Sequence, residues 1–169
     1  GLKGGFAPWV GSVIKDVNQK ILLVCEIGQE KEAITRLSRV GFDNVIGYLN
    51  GGFNSWKNSE KQIEKIESIT ATDLEKILNN NISLMDVRAC GERKNGLLEN
   101  SFGIPLNNIE SEYNSLDKLT KHYIHCAGGY RSMIACSFLK KEGFNSVVDV
   151  QGGFAAISKT TTLKITREN

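Results

Sequence analysis

The chain repeats itself, and that repeat limits what it can fold into. Ile21 to Phe53 aligns with His122 to Phe154 at an offset of 101 residues at both ends. Ile-Leu-Leu-Val-Cys25-Glu-Ile-Gly28 lies against His-Tyr-Ile-His-Cys126-Ala-Gly-Gly129, and Gly51-Gly52-Phe53 against Gly152-Gly153-Phe154. Between them Gly41-Phe42 answers Gly143-Phe144 at an offset of 102, one residue having moved between loop and turn. Each copy opens on a β-rich run, Ile21 to Val24 or Tyr123 to His125, which enters a glycine-containing turn. Apolar residues then recur at helical intervals: Ala33, Ile34, Leu37 and Val40 in the first copy, Ile134, Phe138 and Leu139 in the second. Gly41 and Gly143 stop the helices, and Val45-Ile46 or Val147-Val148 supplies a second strand. Strand, helix, strand at this spacing is a βαβ unit, which demands a parallel sheet. The expected fold class is therefore α/β: two tandem domains, each a parallel sheet flanked by helices.

The copies are unequal. The second has a lead-in, Thr70 to Ile104, without counterpart before Cys25; it contains a helix start at Thr72-Asp-Leu-Glu75, with the pattern of a capping box, and a strand at Ile82 to Asp86. The first domain is thus expected to be incomplete at its N-terminus. The expected organisation is a truncated, degenerate domain over 1–57, a polar linker over 58–69, and a complete, active domain over 70–169 whose end, 158–169, is a surface tail.

A net charge of +2, with basic residues scattered among acidic ones, gives no basic patch for nucleic acid. No run of 18 apolar residues and no leader-like segment is seen, so a cytoplasmic protein away from membranes is expected. Four cysteines, Cys25, Cys90, Cys126 and Cys136, without a C-x-x-C pair, are too few for a disulfide scaffold. With only His122 and His125 to help them, neither a metal nor another cofactor is expected.

Cys126 is the candidate nucleophile. Thiolates rather than thiols attack, and Cys126 sits where a strand meets a helix, so amides from Ala127 to Arg131 can converge on its sulfur and the helix N-terminus adds positive charge. Gly128 and Gly129 are expected to supply the backbone angles for such an anion nest. Arg131 brings a permanent cation to the rim, and Tyr130 at the loop tip is placed to meet a substrate. His125 is read as packing, Cys136 as core, and Cys90 as a candidate resolving thiol. Cys25 is an internal control: Glu30 stands at the position of Arg131 and Glu26 follows the sulfur, so two carboxylates disfavour its thiolate.

With Asp86-Val87-Arg88, Glu92, Gly103-Ile-Pro-Leu106, the loop Cys126-Ala-Gly-Gly-Tyr-Arg131 and Gly152-Gly-Phe-Ala-Ala156, residues 70–169 resemble the rhodanese-like family. Two departures are Gly96-Leu97-Leu98, where the family has Gly-His-Ile, and Ile157, where it has a final Trp. The resemblance implies sulfurtransferase activity: a sulfane sulfur passes from thiosulfate or a small persulfide, through a Cys126 persulfide, to a thiol or cyanide. It also implies a pocket role for Asp86 and Arg88, with Arg88 lining the mouth or else pairing with Asp86 or Glu92. The first copy is similar to the degenerate domain that follows a metallo-β-lactamase-fold domain in persulfide dioxygenase–rhodanese fusions, which implies such a domain as partner in a parent protein. Two alternatives stand: a Cys-loop-Arg phosphatase, whose loop carries five intervening residues against four here, and a non-catalytic interaction or homodimerisation module.

Overall fold

A computed structural model describes residues 2, 5–78 and 82–167. Gly1, Lys3 and Gly4 of the first expected domain, Asn79, Asn80 and Asn81 of the second, and Glu168 and Asn169 of the expected tail lie outside the described residues. The chain divides into two compact units, Gly1–Glu64 and Lys65–Asn169.

Unit 1 contains α1 (Phe6–Val13), β1 (Ile21–Leu23), α2 (Glu30–Ser38), β2 (Val45–Tyr48) and α3 (Gly52–Asn58). The strands pair in parallel, Ile21 beside Val45 and Leu23 beside Tyr48, as the βαβ reading requires. Side chains alternate along a strand, and here one face buries Ile21 and Leu23 against Ala33 and Leu37 of α2 and Phe42 beyond it. Leu22, Ile46 and Tyr48 are 71%, 56% and 51% exposed, and the register shifts between Ile21 and Leu22. Ile34 and Val40, expected on the buried side of the helix, are exposed as well, because α2 meets the small sheet along the narrow stripe of Ala33 and Leu37.

Unit 2 runs β3 (Glu67–Ile69), α4 (Ala71–Ile77), β4 (Ser83–Asp86), α5 (Cys90–Lys94), β5 (Leu97–Leu98), β6 (Phe102–Gly103), α6 (Ile109–Glu112), β7 (His122–His125), α7 (Tyr130–Lys141), β8 (Val147–Val150), α8 (Gly153–Thr160) and β9 (Ile165–Thr166). Five strands make a parallel sheet in the order β3-β8-β7-β4-β6. The α/β class and the flanked parallel sheet are thus as read from the sequence. Leu74 of α4, Leu84, Leu98, Val150 and Ile157 of α8 form one buried cluster. Among the described residues no helix is long and apolar enough to cross a membrane.

Three boundaries differ from expectation. The end of the 58–69 linker is a strand: Glu67, Ser68 and Ile69 pair with Val148, Asp149 and Val150, and their polarity is that of a sheet edge facing water. The start of α4 is Thr70 rather than Thr72, since the Thr70 hydroxyl accepts the Asp73 amide at 3.1 Å. Glu75, freed from a capping role, accepts the Thr162 amide at 2.7 Å. That contact helps fix the expected tail, which carries the end of α8 and then β9, antiparallel to Leu97–Leu98.

The repeat is visible as a contact. In unit 2 the α8 amides of Phe154 and Ala155 donate to the carbonyls of Cys126 and Ala127 at 2.6 and 3.0 Å. Gly153 makes this approach possible: at φ +55 a Cβ there would lie 2.3 Å from the Cys126 oxygen. Gly52, 101 residues earlier, has φ +58, and its Cβ would lie 2.3 Å from the Cys25 oxygen. Replacing Gly153 by Ala should destabilise unit 2 by about 2 kcal/mol or more, because backbone rather than a flexible side chain must yield. Gly91→Ala, with nothing within 4 Å of the added methyl, should stay within about 0.5 kcal/mol of wild type; urea denaturation of both variants checks the contrast.

Candidate active site

Cys126 follows directly on β7 and its residue is 1% exposed. The chain turns from strand to helix within three residues, and Gly129, at φ +96, caps α7. This turn carries the Gly129 amide back to the sulfur, which it meets at 3.1 Å. From the first turn of α7 the buried Ser132 hydroxyl approaches the same atom at 3.5 Å. The sulfur therefore lies at the N-terminal end of a 12-residue helix, among donors suited to an anion.

The two glycines differ, which the sequence did not reveal. Gly129 takes the left-handed angle, and a Cβ there would meet the Gly152 amide nitrogen at 3.3 Å; Gly128 has no left-handed φ and open space around it. Alanine at Gly129 should therefore disturb the cradle and slow Cys126 alkylation by about tenfold, whereas Gly128→Ala should react within about twofold of wild type, as timed iodoacetamide labelling would show.

Arg131 does not stand alone at the rim. Its guanidinium grips Glu92 through Nη1–Oε2 at 2.6 Å and Nη2–Oε1 at 2.8 Å, a bidentate pair that fixes the plane of the fork. The hydrogen bond to Arg131 is the main cause holding the Glu92 carboxyl below its ordinary range, and the same bond raises Arg131 further above its own. Glu92 also accepts the Ala89 amide at 3.1 Å, so a single carboxylate starts α5 and aims the loop arginine. The sequence showed Glu92 as a family feature, but only the fold brings it to Arg131. Tyr130, at the start of α7, is 37% exposed.

Asp86 and Arg88 are both buried and bound to each other. Arg88 Nε donates to both Asp86 oxygens at 3.1 and 3.0 Å, and Nη2 donates to Oδ2 at 2.7 Å and to the Gly96 carbonyl at 2.8 Å. The Arg88 guanidinium carbon lies 3.9 Å from the centre of the Phe154 ring. Pairing with Asp86, one of the expectations for Arg88, is what the structure displays. Arg93 adds a second cation, 3.2 Å from Asp86. Burial alone would raise the Asp86 carboxyl, but the Arg88 hydrogen bonds and the neighbouring charges hold it below the usual range. These residues anchor the β4–α5 turn that delivers Glu92.

His125 is fully buried, its ring stacked on Phe154 at 6.4 Å; among the described residues neither nitrogen has a hydrogen-bond partner, and Nε2 lies 3.9 Å from Asp86 Oδ2. Burial pushes its pKa down to about 4, with Arg88 and Arg93 acting in the same direction and Asp86 against it. An unfolded histidine binds its proton near pH 6.5, so as pH falls the unfolded chain takes up a proton first. Stability of unit 2 should therefore decline from about pH 6.5 down through about 4, by roughly 3 kcal/mol. His125→Leu should flatten that part of the curve of urea midpoint against pH.

The remaining thiols are placed differently. Cys136 is buried in α7, where burial first and then the Asp149 carboxylate push its thiol up. Cys90 is exposed at the start of α5. Cys25 is half-buried, and burial, Glu30 and Glu26, in that order, raise its thiol, so the carboxylates identified in the sequence do act on it.

The profile of the rhodanese-like domain family matches residues 2–59 and again 70–160. The chain belongs to the rhodanese-like domain family. It is similar to a rhodanese-like domain protein from Staphylococcus aureus, with 33% identity, coverage of 60% of this chain and 99% of that one, and a TM-score of 0.54. A rhodanese-related protein from Thermoplasma volcanium matches with 31% identity over 60% of this chain and 99% of its own, at a TM-score of 0.56. A sulfurtransferase of Allochromatium vinosum is 28% identical over 75 residues, covering 44% of this chain and 70% of its own length. The curated relatives are spanned unevenly, from 30% to 87% of their own length.

Proposed function

We propose that unit 2 is a sulfurtransferase that carries a sulfane sulfur on Cys126. The observation that carries this reading is the sulfur itself: Sγ sits at the N-terminus of α7, 3.1 Å from the Gly129 amide, with the clamped Arg131 in the same short loop. A cradle for one anionic atom suits a thiolate and, with a small shift, the terminal sulfur of a persulfide. In the first half-reaction the Cys126 thiolate attacks the sulfane sulfur of thiosulfate or a small persulfide. The new S–S bond forms as the old one breaks, and sulfite or a thiolate leaves with the electron pair. In the second, a thiol or cyanide acceptor takes the outer sulfur and the pair returns to Cys126. Arg131 attracts the anionic donor; a pocket role for Asp86 and Arg88 is exercised through the turn that carries Glu92. Every step is a nucleophilic displacement at sulfur that the chain's own residues can support.

For unit 1 we propose a non-catalytic role, favoured by the exposed apolar side chains of Leu22, Ile46 and Tyr48 and by the two carboxylates beside Cys25. An interaction surface, toward a second copy or toward a metallo-β-lactamase-fold domain of a parent protein, fits both observations. Brief treatment with a small persulfide, followed by peptide mass spectrometry, should show one added sulfur atom on Cys126 and none on Cys25. Cys126→Ser should lower thiosulfate:cyanide transfer by about a thousandfold or more while Cys25→Ser leaves it unchanged. A sulfur adduct absent from Cys126, or a large loss in Cys25→Ser, would refute the respective assignment.

A further inference from the structure

The buried carboxylate of Asp149 has no role in the cycle described above. β8 reads Val147-Val148-Asp149-Val150, and all four residues are buried. Asp149 is 3% exposed, and among the described residues its Oδ1 has no hydrogen-bond partner. An orphaned carboxylate oxygen in a strand of valines costs stability, and such a group calls for an explanation. Its surroundings offer one. Asp149 stands beside Ile124 in the sheet, on the face covered by α7, and Ser132 of that helix hydrogen-bonds its carboxyl. Ser132, wholly buried, is in turn 3.5 Å from Cys126 Sγ. Carboxylate, hydroxyl and sulfur thus succeed one another across the interior of unit 2.

We propose that Asp149 is a positioning residue for the Cys126 proton, receiving it through the Ser132 hydroxyl when the sulfur becomes a nucleophile and returning it when the sulfur is released. The proposal rests on the sulfur-transfer reading for its place in the cycle. As the Cys126 S–H bond breaks, its proton passes to Ser132 Oγ while the hydroxyl proton of Ser132 passes to Asp149. The electron pair left on sulfur forms the bond to the sulfane atom, and the donor's leaving group departs with its own pair. When the acceptor takes the outer sulfur, the bond to Cys126 breaks, its pair stays on Cys126, and the proton returns along the same path. Neither half-reaction leaves a proton stranded, and the buried group never has to hold two negative charges. Burial raises the Asp149 carboxyl above its ordinary value, against the Ser132 hydrogen bond, which makes it a stronger proton acceptor than an exposed aspartate.

Cys136 of α7 is the second thiol in contact with the field of this carboxylate, and burial keeps it protonated. Across β3 the register partner is Ser68, and His122, further back on β7, is held by the Asp117 carbonyl and the Ser83 hydroxyl. Arg131 lies at the rim, held by Glu92.

The rate of Cys126 alkylation by iodoacetamide, mapped by mass spectrometry from about pH 5.5 to 9.5, reads the proton on that sulfur whether or not sulfane sulfur is its cargo. Asp149→Asn should be about tenfold slower than wild type near pH 6.5 and should converge to within about twofold near pH 9.5, where hydroxide replaces the relay. Ser132→Ala should behave the same way, and Ser132→Thr, which keeps the hydroxyl, should retain the wild-type profile. If Asp149→Asn does not fold, the Ser132 pair decides alone. Any other profile overturns the relay, whether identical to wild type, slowed equally at every pH, or faster at low pH. A pH-dependent loss as expected, with no persulfide ever formed on Cys126, overturns the sulfur reading and leaves the relay standing.

Discussion

Everything that places Cys126 depends on the contact between the start of α8 and the start of the sulfur loop. Phe154 and Ala155 turn their amides onto the Cys126 and Ala127 carbonyls, so two helix N-terminal donors are satisfied by the loop that needs fixing. This removes the freedom of the loop at its root, leaving Gly129 to aim its amide at the sulfur. The contact is steric before it is chemical, because only a residue without a Cβ fits at Gly153. The same close approach recurs in unit 1, where a Cβ at Gly52 would meet the Cys25 carbonyl.

Electrostatics then separates the two units. In unit 2 the Asp86, Arg88, Arg93 cluster anchors the turn before α5, α5 presents Glu92, and Glu92 orients Arg131. The cluster is costly to bury, so its effect lies in fixing geometry more than in adding stability. In unit 1 the equivalent loop ends on Glu30, and no cation replaces it at that position. The loop of unit 1 therefore lacks the arginine that unit 2 carries, and its two carboxylates add to burial in raising the Cys25 thiol.

The repeat made the architecture legible, because a strand, a helical stripe, a glycine stop and a second strand can be counted in both copies. The loop Cys126 to Arg131 was legible for the same reason, with glycines and a cation at fixed spacing. Partnerships between distant residues were not. Glu92 lies 39 positions from Arg131, and nothing in the order of residues shows that α5 comes to rest beside α7. Asp149 did leave a sign, since an aspartate within Val-Val-Asp-Val is out of place in a buried strand. Ser132 left none, because a serine in the first turn of a helix is ordinary. Thr70, Glu67–Ile69 and Ile165–Thr166 were misjudged because short edge strands and helix caps are polar, as loops are.

The exposed apolar residues of β1 and β2 have a consequence for how the chain behaves in bulk. Leu22, Ile46 and Tyr48 are exposed on a two-stranded sheet whose strands are short. Surfaces of this kind attract other chains by both apolar burial and strand pairing. Unit 1 thus carries exposed apolar surface through which the molecule would meet its neighbours as its concentration rises.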